Sequence, residues 1–154
     1  MNSASRFAAL CLAALTLATG TLPALAHDDA TLDSMKSANG GQLRMAGIYH
    51  FELVVVKDTK ADKENPVLVY VTDHAGQKMD TTGASGTVTI LAAKQKASVA
   101  LKPDGSNRLK GFASYASVLD MKAIVSITLP GMPPEQARFT PMTAMPVESM
   151  AHQH

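Results

Sequence analysis

Short β-type runs separated by turn signals recur between residues 40 and 140, and they constrain the fold of this 154-residue chain more than any other feature. In YHFEL (49–53), apolar Tyr, Phe and Leu alternate with polar His and Glu, which is the period of a strand with two different faces. Similar runs follow in PVLVYVTD, GTVTIL, KASVALK, KAIVSITLP and EQARFT, and DHAGQ, TTGASG, KPDGSN and PGMPPEQ stand between them as turn-forming groups.

These runs predict an all-β domain: a single antiparallel β-sandwich of about seven strands, of the immunoglobulin-like or Greek-key type. GGQLRMAG favours an opening edge strand, and NRLKGFAS favours either a strand or a strand followed by a loop. SYASVLDMKA indicates a turn of helix at most. The predicted organisation is a signal peptide (1–26), a flexible lead-in (27–39), the sandwich (40–140) and a flexible Met/His-rich tail (141–154).

The first 26 residues have the layout of a bacterial Sec-type signal peptide. A polar start with one positive charge precedes the apolar run Phe7–Leu17, which is too short to span a bilayer. The run ends near Ala24-Leu25-Ala26, which fits the small-x-small rule for signal peptidase. We therefore expect cleavage after Ala26 and a periplasmic mature protein.

Cleavage would change both the charge and the available metal ligands. It removes Arg6, so the 14 Lys and Arg become 13 and equal the 13 Asp and Glu, and it removes the single cysteine, Cys11. The mature chain then has no disulfide and no thiolate ligand. Zero net charge without a basic cluster argues against nucleic acid as a partner. No second stretch approaches eighteen consecutive apolar residues, so we expect nothing to span the membrane after export.

The middle of the chain resembles a family of small exported β-domains. Four phrases carry the resemblance in order: GGQLRMAGIYHFELVVV, VLVYVTDHAGQKMDTTGASGTVTIL, VALKPDGSNRLKG and AIVSITLPGMPPEQARFT. Members of that family occur as stand-alone periplasmic proteins and fused to the periplasmic adaptor subunits of heavy-metal efflux pumps of the RND type. The resemblance implies a setting in metal or copper homeostasis, with polar features around His50, Asp73 and His74. It covers roughly residues 40–140 and leaves out both tails.

The C-terminal tail holds the first candidate metal site. Its thioethers and imidazoles are clustered in sequence: Met142, Met145, Met150, His152 and His154. Thioethers select Cu(I) or Ag(I), and imidazole binds copper in both oxidation states. The alternative is a tail whose methionines bind no metal, or a short segment that packs an apolar face.

A second candidate site lies in the β-domain. His50 and Glu52 share one face of a predicted strand, and Asp73 and His74 follow the next strand. Two imidazoles and a carboxylate suit Cu(II) or Zn(II) with water completing the shell. The alternative is that His50 and Glu52 form a solvated pair on an exposed face, while Asp73 and His74 cap the turn before Gly76.

Processing would create a third and weaker candidate. Cleavage after Ala26 makes His27 the new N-terminus, where its amine and ring nitrogen together can chelate copper. His50 or His74 would have to supply a further imidazole. The alternative is a polar start without a metal.

Nothing in the sequence indicates catalysis, because it shows no nucleophile with a base, no paired carboxylates in an apolar setting and no cofactor fingerprint. We expect a periplasmic metal-binding protein that sequesters Cu(I), Ag(I) or a related heavy metal, or delivers it to an efflux system; zinc is a further candidate ion. The alternative is an interaction module without metal that docks on an efflux adaptor or another envelope protein through an edge strand.

Overall fold

The computed structural model describes residues 29–57 and 59–143. It contains one short helix, α1 (Asp29–Ser34), and eight strands: β1 (Gln42–Ala46), β2 (Tyr49–Val55), β3 (Glu64–Asp73), β4 (Ser85–Ala92), β5 (Gln95–Pro103), β6 (Arg108–Ser114), β7 (Lys122–Thr128) and β8 (Glu135–Phe139). Neighbouring strands pair antiparallel in the order β1-β2-β3-β6-β5-β4-β7-β8. The predicted all-β, antiparallel class is confirmed.

The strand order contains two overlapping Greek keys. Strands β4, β5 and β6 follow one another as hairpins, with β3 returning beside β6 and β7 returning beside β4. Strand β5 pairs with β4 along seven residue pairs but meets β6 at only two, Lys102 with Lys110 and Pro103 with Leu109. The sheet therefore bends strongly between β5 and β6.

The two outer strands of the sheet, β1 and β8, come together and nearly close it into a barrel. The side-chain oxygen of Gln42 at the start of β1 accepts a hydrogen bond from the backbone N–H of Thr140, just after β8, at 2.8 Å. The predicted seven-strand sandwich is not confirmed: eight strands form one nearly barrel-shaped sheet. The difference arises because both ambiguous stretches, GGQLRMAG and NRLKGFAS, form full strands.

The interior is filled by every second residue of the strands. Val67, Val69 and Val71 of β3 are fully buried, and they pack in one apolar core with residues such as Phe51 and Phe139. Burying each such side chain stabilises the fold by roughly 1.5–3 kcal/mol. The alternation that the sequence shows in these runs is thus the alternation between core and surface.

One glycine lets two strands approach closely at the bend. A Cβ on Gly111 of β6 would clash with the side chain of Val99 and would lie 2.7 Å from the backbone oxygen of Ala100, both in β5. Any other residue at position 111 would therefore force β5 and β6 apart.

Helix α1 lies where the sequence predicted a flexible lead-in. Its Leu32 is buried at 1% exposure, and its Asp33 accepts a 2.7 Å hydrogen bond from Arg44 on the inward face of β1. Six residues are too few to display a helical period, which is why the pattern gave no sign of this helix. Within the described residues no helix has the roughly 20 apolar residues that a membrane crossing requires.

Candidate functional site

The register between β2 and β3 brings two histidines together that are 24 positions apart in the chain. His50 pairs with Thr72, so His74, two residues further along the same face, lies diagonally beside His50 directly after the end of β3. The two imidazole rings stack with centroids 5.0 Å apart and planes inclined by 15°. His50 is buried at 5% exposure, whereas His74 is exposed on the turn. The pair is therefore one buried and one accessible imidazole in contact.

The stacked geometry limits how this pair can hold a metal ion. An imidazole nitrogen directs its lone pair in the plane of the ring, at about 2.0–2.1 Å from a bound zinc. Two nearly parallel planes do not converge at such a distance, so a shared ion requires one ring to turn. His74 lies on an exposed turn, whereas His50 is buried, so His74 is the ring that would have to turn. In residues 29–57 and 59–143, no group of three or more His, Cys, Asp or Glu side chains is arranged to hold a metal.

Asp73 caps the turn that carries His74. Its Oδ1 accepts hydrogen bonds from the backbone N–H groups of Ala75 and Gln77, both at 2.8 Å. Gly76 then adopts a left-handed conformation with φ at 79°, and its N–H donates to the backbone oxygen of Asp73 at 3.0 Å. Asp73 therefore caps the turn, as the alternative to a metal site proposed, and the capped turn positions His74.

Glu52 shares the face of β2 that carries His50, but its carboxylate holds the lead-in to β1. One oxygen accepts the backbone N–H groups of Asn39 at 2.8 Å and Gly41 at 2.9 Å, and the other accepts the side-chain amide of Asn39 at 2.8 Å. Glu52 and His50 are buried at 4% and 5% exposure, so the alternative of a solvated pair on an exposed face is wrong. Residues 39–41 cover part of this face, which alternation along β2 alone does not reveal.

Only one residue of the predicted tail site lies in the described part of the chain. Met142 is half-buried and packs against the core. Met145, Met150, His152 and His154 lie outside the described residues, and so does His27. The tail site and the N-terminal chelate therefore stay predictions.

A cleft of about 560 Å³ opens at the end of the barrel near Met142. It lies between the lead-in to β1, the end of β2, the loop after β6 and the segment after β8. Val55, at the far end of β2 from His50, lines it. Leu53 and Val55, which line the cleft, project from one face of β2, and His50 projects from the other, so the cleft and the histidine pair are separate sites. Sequence reasoning missed the cleft because its walls come from four distant segments.

The chain matches no protein-family model, and no curated protein matches it either. The resemblance to efflux-associated β-domains therefore stays a prediction from the four sequence phrases. The residues of this chain and their geometry are the basis for assigning a function.

Proposed function

We propose that this protein is a periplasmic metal-binding protein that sequesters copper or silver, or passes it to a heavy-metal efflux system. The observation that carries the proposal is the contact between His50 and His74, whose rings lie 5.0 Å apart. Two adjacent imidazoles form the nucleus of a site for Cu(II) or Zn(II), while the thioethers of the tail suit Cu(I) or Ag(I).

An incomplete ligand shell suits transfer of the ion better than storage. The pair supplies two nitrogens, and solvent or a further protein ligand must complete the coordination. Such an ion exchanges ligands more readily than one held in a closed four-ligand cage. His50 fixes one ligand in the barrel wall, and His74 can turn from the stack to meet an incoming ion.

The tail is long enough to work together with the pair. The eleven residues from Ala144 to His154 reach at most about 36 Å when extended. Thr143 lines the same cleft as Val55, and Val55 lies about 17 Å along β2 from His50, so the tail exceeds that distance. Tail thioethers or imidazoles are thus within reach of an ion at the histidine pair. In the proposed mechanism an ion passes between tail and pair through shared coordination.

A metal titration tests the proposal. The mature protein is titrated with Ag(I) or Cu(I), and separately with Cu(II) and Zn(II), against a weak competing chelator. We expect about one Ag(I) or Cu(I) per chain, and we expect truncation after Thr143 to abolish that uptake while keeping Met142 in its packed position. A His50→Ala/His74→Ala double variant should lose Cu(II) and Zn(II) binding. Absence of measurable uptake of all four ions by the mature protein would refute the proposal.

The alternative of docking through an edge strand has less support. The outer edge of β1 faces the end of β8, where Gln42 bonds to Thr140, and α1 packs beside it. Edge strands invite pairing when their backbone groups are open, and here neighbouring segments cover the edge that the sequence favoured for docking.

A further inference from the structure

The cleft at the end of the barrel leads into the apolar interior. Its floor includes Leu53, which is buried at 1% exposure, and its walls include Val55 and Met142, which pack against the core. Leu53 and Val55 face the interior of the barrel, and Met142, after β8, packs against the same core. The mouths of β-barrels are common sites for small apolar ligands, and a volume of about 560 Å³ lies within the roughly 300–1,000 Å³ of such sites.

The rim of the cleft combines an exposed apolar side chain with positive charge. Leu119 lines the cleft and is 81% exposed, the highest value among the large apolar side chains described. Lys36 and Lys57 also line it, and the described lining residues include no Asp or Glu. The cleft is therefore apolar at its floor and cationic at its entrance.

We propose that this cleft binds a single-chain amphiphile with an anionic head group, such as a fatty acid. The acyl chain enters between Leu53, Val55 and Met142, and Leu119 covers its outer part. The ammonium groups of Lys36 and Lys57 pair with the head group at the entrance, where hydrogen bonds to a charged partner are strong. This binding is independent of the histidine pair, which lies on the other face of β2.

Displacement of a fluorescent fatty acid tests the assignment. The mature protein is mixed with dansyl-undecanoic acid below its micellar concentration, and the probe is displaced with dodecanoate or with dodecyltrimethylammonium, which has the same chain length and the opposite charge. We expect dodecanoate to displace the probe at least about tenfold more effectively than the cation. Equal displacement by the two would show that charge plays no part and would overturn the proposal.

Two variants and a matched control locate the site. Lys36→Gln/Lys57→Gln should weaken dodecanoate binding about tenfold, and Leu119→Ser should weaken dodecanoate and the probe alike. Lys96→Gln/Lys122→Gln removes two exposed lysines from the outward faces of β5 and β7 and should change nothing. If the two lysine pairs behave alike, binding lies elsewhere and the proposal fails.

The tail of the chain itself is the competing occupant. The same titration with protein truncated after Thr143 separates the two ideas. We expect the truncated and mature proteins to bind dodecanoate within about twofold of each other. Binding that appears only after truncation would show that the tail fills the cleft, and the assignment to an amphiphile would be wrong.

Discussion

The exposed imidazole of His74 lies against the buried imidazole of His50, with the ring centroids 5.0 Å apart. The two rings therefore have different surroundings: His50 is part of the packed barrel wall, and His74 is the ring exposed to solvent. Substituting each histidine in turn therefore distinguishes an effect on stability from an effect on metal affinity.

We predict that His74→Ala lowers affinity for Cu(II) and Zn(II) at least about tenfold while changing the free energy of unfolding by less than about 0.5 kcal/mol. His50→Ala should lower the same affinity and also destabilise the fold by about 1–3 kcal/mol, because it empties a buried position. His74→Phe is the matched control, since it keeps a flat ring for stacking but has no ligand nitrogen. Chelator competition and urea unfolding measure both quantities. Undiminished metal binding by His74→Phe would contradict a role for the pair.

A second prediction concerns Glu52, which sequence reasoning grouped with the metal ligands. Its carboxylate accepts three hydrogen bonds from Asn39 and Gly41. A glutamine at this position would place an N–H donor where one of the two accepting oxygens now lies. Glu52→Gln should therefore destabilise the protein by about 2–3 kcal/mol in urea unfolding and leave metal affinity unchanged. Glu64→Gln, at an exposed position at the start of β3, is the control and should change stability by less than about 0.5 kcal/mol. Loss of metal affinity without loss of stability would make Glu52 a ligand after all.

A third prediction concerns the ion pair between α1 and β1 and how the free energy of unfolding depends on pH. The hydrogen bond from Arg44 holds the pKa of Asp33 below its ordinary value. As the pH falls through about 3.9, the unfolded chain takes up this proton before the folded protein does. The contribution of Asp33 is therefore present above that pH and is lost below it. Because the side chain of Asp33 is 30% exposed, solvent screening limits the contribution to about 0.5–1 kcal/mol.

Asp33→Asn should accordingly flatten the decline of stability between about pH 5 and pH 2. Urea unfolding at a series of pH values measures it. Asp29→Asn is the matched control, because Asp29 is 71% exposed and lies 3.4 Å from the same guanidinium. An equally steep acid decline in Asp33→Asn and the unaltered protein would contradict the assignment.

The sequence predicts features that repeat along the chain, such as strands. It does not predict contacts that depend on strand register or on segments distant in the chain. Alternation located six of the eight strands outright, because core and surface alternate along most of them, and it left GGQLRMAG and NRLKGFAS ambiguous. The contact of His50 with His74 depends on the pairing register of β2 with β3, which the intervening loop does not specify. Helix α1 is too short to show a period. The covering of Glu52 by residues 39–41 is a tertiary contact that no local pattern encodes.

The turn between β4 and β5 is a further feature that the sequence does not indicate. Its two loop residues, Ala93 and Lys94, both have left-handed backbones, with φ at 49° and 63°. This matches a two-residue hairpin turn that normally uses Asn-Gly, and Ala-Lys gave no turn signal in the sequence. A non-glycine residue in this conformation is strained.

We therefore predict that Lys94→Gly stabilises the protein by about 0.5–1 kcal/mol, because relief of the strain exceeds the added flexibility of the unfolded chain. Thermal and urea unfolding measure the change. Ser98→Gly is the matched control, since it adds the same flexibility at an exposed position inside β5, and it should destabilise the protein by about 0.5–1 kcal/mol. The opposite signs of the two glycine substitutions are the test: if both destabilise equally, the backbone at Lys94 is not left-handed and the two-residue turn is wrong.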